Sequence, residues 1–187
     1  KKLSSDLTLS QCIQIIGYLK RASGLSQIDT KVLFLKCRSI CVDSYFANIS
    51  IDEESNRILV LNNIMRIHVV ASISYYLALF NGGKSIVFMQ KSESDSALFS
   101  WIQNYLEIYL QMLKDLLSEQ SKSISKNDFA QLIESFAQVS LCFTSFDRLN
   151  IDMQGSIELI FYHTIVNFYT QYLENVQNDF KIEIASF

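Results

Sequence analysis

The chain has no proline, and only five glycines are spread over its 187 residues. Average usage would supply about nine prolines. Without the ring that fixes φ and removes a backbone donor, helices can run long and unkinked. A strand-rich fold needs many turn residues, and Gly17, Gly24, Gly82, Gly83 and Gly155 are too few and too scattered for one. Charge is sparse too, at 19% against a usual ~25%. A formal charge of −3 and a pI near 5.4 argue against a phosphate-backbone partner, so nucleic acid is not expected. No uninterrupted run of eighteen apolar residues occurs, so no membrane-crossing segment is expected. Residues 1–9 lack the apolar core of a signal peptide.

Cysteine pairs are also missing. Cys12, Cys37, Cys41 and Cys142 form no C-x-x-C motif. Cys37 and Cys41 share a helical face, but the first histidine after them is His68. They read as small buried apolar residues in a reducing compartment, and no metal is expected.

What is abundant is apolar and aromatic surface: 49% hydrophobic residues, with thirteen Phe and nine Tyr. Such a chain is long and apolar enough to bury a core. Periodicity and caps predict an all-α, elongated bundle of about six helices. The first spans about 7–21, with Leu9, Cys12, Ile13, Ile16 and Leu19 on one side, and Gly24 breaks it. Ser26-x-x-Asp29 caps the second, which runs to about 48 with Ile28, Val32, Leu35, Val42, Phe46 and Ile49 at helical spacing. Asp52-Glu53-Glu54 favours a third start, running to Asn81-Gly82-Gly83, although the apolar run at 58–64 also fits a strand. The Ser-rich stretch 84–96 is a linker, and 82–96 a possible sub-boundary in an otherwise single bundle over 1–187. A start at Lys1 rather than Met is expected of a fragment of something longer.

The fourth helix has the plainest pattern. Leu98, Ile102, Tyr105, Tyr109, Met112 and Leu116 step by 4, 3, 4, 3 and 4. Trp101, Leu106, Leu110 and Leu113 widen the stripe, which predicts packing against two neighbours. Ile102, Tyr105, Tyr109 and Met112 are expected in the core. The fifth helix, capped by Ser125-x-x-Asp128, has Phe129, Leu132, Phe136, Ser140, Phe143 and Asp147 on one face. The sixth spans about 152–178, with Asp152 as its cap and Ile157, Phe161, Thr164, Phe168, Tyr172 and Val176 inward.

Catalytic chemistry is not signalled. Gly83-Lys84-Ser85 resembles the end of a phosphate loop, but Ala78 stands where the first glycine is required and no strand precedes it. His68 and His163 fit no ligand pattern, and no G-x-S-x-G elbow occurs. Glu53-Glu54 and Asp147 with Asp152 read as helix-end charges. Tyr75, Tyr76, Tyr105 and Tyr109 lie on helical stripes without the basic groove of a base-stacking surface. No catalytic residue and no cofactor are expected.

Four ordered strings carry a resemblance. Ile16-Gly17-Tyr18-Leu19-Lys20-Arg21, then Lys31-Val32-x-Phe34-Leu35-x-x-Arg38, is the first. Arg66-Ile67-His68 with Ile73, Tyr76 and Phe80 is the second. Phe99 and Trp101 with Tyr109-Leu110-Gln111-Met112-Leu113 is the third, and Ser145-Phe146-x-Arg148-Leu149-x-x-Asp152-Met153-x-Gly155 the fourth. Together they are similar to the eighth-subunit family of the conserved oligomeric Golgi complex. One residue fewer separates Phe99 from Trp101 than in the family pattern, and the 84–96 stretch departs from it in composition.

The resemblance implies a helical rod of a vesicle tether on the cytosolic face of the Golgi, peripheral to the membrane through the complex. It implies a role in retrograde traffic and in keeping glycosylation enzymes in place. The implied partners are the first subunit and subunits five, six and seven. A different helical adaptor and an all-helical enzyme holding an apolar ligand are the alternatives. Physically, Gly17 suits close approach of a neighbouring helix, and Arg38, Arg66 and Arg148 are expected to reach water or a helix-end carboxylate. Phe180, Ile182, Ile184 and Phe187, apolar in a short C-terminal segment, are the expected partner-binding residues.

Overall fold

A computed structural model describes residues 7–49, 57–82, 96–120 and 126–185. The first helix, α1, covers Leu9–Ser23. Its start is a reciprocal cap: the Gln11 N–H donates to Thr8 Oγ1, and the Thr8 N–H donates to Gln11 Oε1 at 2.8 Å. Gly24 ends it at φ 59°, a left-handed conformation that glycine adopts without a Cβ penalty. In α2, Gln27–Asn48, the expected Ser26 cap is present and accepts from the Asp29 N–H at 3.1 Å.

Next comes one continuous helix in three parts: α3 at Arg57–Ile64, a π-helical turn at Met65–Val69, and α4 at Val70–Phe80. The apolar run at 58–64 is therefore helical, because its residues pack on helices and no strand lies nearby among the described residues. Asn81 and Gly82, the latter at φ 61°, follow the end of α4. The remaining elements are α5, Ser96–Gln120; α6, Lys126–Asp147; and α7, Gln154–Ala185. Counting the joined helix once gives the six expected, in an all-α bundle without strands among the described residues. The acidic start at 52–54 and the Ser125 cap lie outside those residues. Asp152 does act at the start of α7, where its Oδ1 accepts from the Gln154 N–H at 2.9 Å.

The joined helix is the centre of the core. Its α3 half packs against α5, α6 and α2, and its α4 half against α1 and α2. Side chains before and after 82–96 share one apolar cluster, from Cys12 to Phe161. By length and composition this helix could cross a membrane. Yet Ile58, Leu61, Met65, Val69, Ile73 and Tyr76 are buried against neighbouring helices, as in the core helix of a bundle.

On α5, Ile102, Tyr105 and Tyr109 are buried as expected, while Met112 is half-buried and Leu113 takes its place in the core. The polar ends of the aromatics find partners across helices. Trp101 Nε1 donates to Ser39 Oγ at 2.9 Å, and the Tyr105 hydroxyl donates to Asp43 Oδ1 at 2.6 Å.

Several sequence expectations fail in a common way. Ile13 and Ile28 are exposed, since α1 and α2 turn narrower faces inward than their apolar content allows. On α6 the buried line is Leu132, Ser135, Val139, Cys142 and Phe146, one position round from the predicted face. Phe129 and Phe136 reach sideways instead, toward Phe168 and Phe161 of α7. Tyr172 and Val176 are exposed because α7 outruns the helices beneath it.

Gly17 faces no neighbouring helix: a Cβ there would meet only the Arg21 side chain, at 3.8 Å. Arg38 does not reach water either. It is 2% exposed and its Nε donates to Ser72 Oγ at 2.9 Å. The Ser72 hydroxyl in turn donates to the His68 carbonyl beside the π turn. A buried guanidinium requires such acceptors, and α4 supplies one.

Candidate functional site

Among the described residues, one side of α7 exposes a long run of apolar side chains. Two demands compete along this helix. Ile157, Phe161 and Phe168 are buried against the body, and Phe161 meets Phe136 edge-on at 4.9 Å. The same stretch carries Leu159, Tyr162 and Val166, which are exposed, and Tyr169, which is exposed but has its ring edge-on to Phe129 of α6 at 6.3 Å. Beyond Tyr172 every side chain described is exposed, apolar ones included. Apolar residues on more than one face mark a helix that has or wants neighbours on more than one side.

Of the expected partner-binding residues, Phe180 is 61% and Ile182 68% exposed, and Ile184 is similarly open. Phe187 lies outside the described residues. The three are carried on one helix rather than a short separate segment. The outward residues from Leu159 to Leu173 were not among the expected ones. Their signal was available as excess apolar content, because α7 holds more large side chains than a single inward stripe can bury.

A notch of about 240 Å³ adjoins this side, lined by Phe136, Ser140, Phe143, Gln154, Ile157 and Glu158. It is a shallow dent at the seam of α6 and α7, with one charged group at its rim.

Elsewhere, polar groups tie helices together. His68 stacks on Tyr45 with ring centroids 3.9 Å apart. The Tyr109 hydroxyl donates to Asn62 Oδ1 at 2.8 Å, and Cys142 Sγ lies 3.7 Å from the Asn62 carbonyl. Burial pushes the Cys142 thiol up to about 11 and also raises Cys12, against the opposing charge of Arg38. Both thiols are thus held protonated, the unreactive form. No group of three or more His, Cys, Asp or Glu side chains converges on a metal-sized space among the described residues.

Fold and surface together define a class: an all-α bundle whose unsatisfied chemistry is an apolar helix face. Within that class the chain belongs to the Dor1-like family, whose model matches residues 1–178. It is 25% identical over 173 positions to conserved oligomeric Golgi complex subunit 8 of Dictyostelium discoideum, covering 91% of this chain and 21% of that protein. Against the Homo sapiens protein of the same name it is 22% identical, covering 100% of this chain and 30% of the relative. For Drosophila melanogaster the figures are 23%, 100% and 33%. The chain therefore spans a fifth to a third of the length of these relatives. No solved structure gives a significant match. The family is the one the four sequence strings resemble.

Proposed function

We propose that this chain is a non-catalytic scaffold segment of a Golgi vesicle-tethering complex, in the position of its eighth subunit. The observation that carries the reading is the match over nearly the whole chain to relatives named as that subunit. The apolar side of α7 is consistent with it, since a scaffold works by presenting faces at fixed separation. On this reading the segment belongs to a longer subunit that acts on the cytosolic side of the Golgi, peripheral to the membrane. It serves retrograde transport and the maintenance of glycosylation, and its partners are the first subunit and the second-lobe subunits. Partner contact falls on the end of α7, at Phe180, Ile182 and Ile184, with Phe187 beyond it.

The test replaces Phe180 and Ile182 with Asp in the full-length protein. Both side chains are exposed, so helicity and melting temperature should hold while co-purification with the other tether subunits drops. Unchanged association would remove this surface from the proposal.

A further inference from the structure

The outward residues of α7 are ordered. Tyr162, Val166, Tyr169, Leu173, Val176 and Phe180 follow one another at steps of 4, 3, 4, 3 and 4, and all are exposed. Leu159 adds a step of 3 at the N-terminal end. At 100° per residue this stripe lies roughly 130° round the helix from the inward one, so a single helix offers seams to two sets of neighbours. The exposed seam is about 32 Å long and covers three heptads, the length at which a 3-4 repeat begins to specify helix pairing. A strict 3-4 repeat is matched by a second helix with the same repeat, wound left-handedly at about 20°.

Charge narrows the occupant. The charged residues at the positions flanking the seam are Glu158 and Asp179, both exposed. A helix that lies on a membrane surface carries the opposite sign there. A second copy in antiparallel register would set Glu158 across from Asp179 at both ends, a like-charge juxtaposition. Tyr162 and Tyr169, one heptad apart, also require small residues opposite them.

We propose that α7 binds one amphipathic helix of another polypeptide along 159–180, as a left-handed coiled-coil pair. That helix has Lys and Arg beside its own 3-4 stripe. The proposal rests on the scaffold reading and names the chemistry of one partner.

The probe is a synthetic helix of about four heptads, with a Leu/Ala stripe and Lys at the flanking positions, titrated against the full chain. Its twin carries Glu at those positions. The Lys peptide should bind one-to-one and at least tenfold more tightly than the Glu peptide at low salt, with the gap shrinking as salt rises. Tyr162→Glu with Leu173→Glu should weaken it at least tenfold and leave the circular-dichroism spectrum unchanged. Equal binding of the two peptides, binding of neither, or binding that survives the double substitution would overturn the proposal. So would self-association of the chain that the same substitutions abolish, because the occupant would then be a second copy. Tether assembly that is lost with Phe180→Asp and Ile182→Asp, but kept with the Tyr162 and Leu173 changes, rejects the seam and leaves the scaffold reading standing.

Discussion

Cys142 sits where three helices meet, its Sγ on the Asn62 carbonyl of α3 and close to Tyr109 of α5. Its folded-state pKa is raised by burial from the ordinary 9.0 to about 11. The thiol is therefore neutral in folded and unfolded chains below pH 9, and its contribution is fully present there. Between pH 9 and 11 the unfolded chain releases the proton first, so stability falls as pH rises. Tyr109, raised by the same burial, adds to the fall in the same direction. Urea unfolding at pH 8 and pH 10.5 should differ by on the order of 2 kcal/mol, and Cys142→Ala should reduce that difference while leaving the part that Tyr109 contributes. At Gly17 the helix has spare room, for only the flexible Arg21 side chain approaches. Gly17→Ala should therefore stabilise the chain by about 0.5–1 kcal/mol in the same assay. A loss instead would mean that another surface closes over this position.

Among the elements, truncations on α5 and α6 should rank by burial. Ile102→Ala removes a buried side chain and should cost about 2–5 kcal/mol. Met112→Ala, at a half-buried position, should cost less. Ile133→Ala on the open side of α6 should stay within roughly 0.5 kcal/mol. Denaturant melts of the three variants would rank them, and a reversed order would mean the burial is wrong. The contrast shows what pattern alone conveys. On α5 the 4-3 stripe is wide and uninterrupted, so its phase could be read as far as Tyr109, beyond which Leu113 and Leu117 are buried in place of Met112 and Leu116. On α6 the large phenylalanines compete with smaller residues for the inward position. Val139 and Cys142 take it where α3 packs on α6, and Phe129 and Phe136 are displaced toward α7. Arg38 illustrates the same limit: only the fold reveals that Ser72 stands 2.9 Å from its Nε. Capping at Ser26 and breaking at Gly24 depend on neighbours within a few residues, and both were readable. The outward face of α7 was not predicted, because two interleaved stripes look like one broad one in sequence.

The bundle as a unit hangs on the joined helix 57–80, which meets α5 and α6 with its first half and α1 and α2 with its second. Helix class followed from the absent proline, and helix number from periodicity and caps. The order of neighbours did not, since it arises from contacts between residues such as Tyr109 and Asn62 that lie 47 apart. Between the two halves sits the π turn at Met65–Val69, which accommodates one residue more than an α-helical path of the same length. Think of the helix as a camshaft on which that residue is slack taken up between two cams. Deleting Ile67, which is exposed, removes that extra residue, so the turn can close to an ordinary α-helical one with the two halves kept at the same angle to each other. The variant should keep its far-ultraviolet helical signal and a single sharp unfolding transition; loss of that transition would show that the turn does not take up the extra residue. For this bundle, a one-codon deletion is then absorbed at the π turn, where the same deletion in a plain α-helical stretch would turn everything beyond it by about 100°.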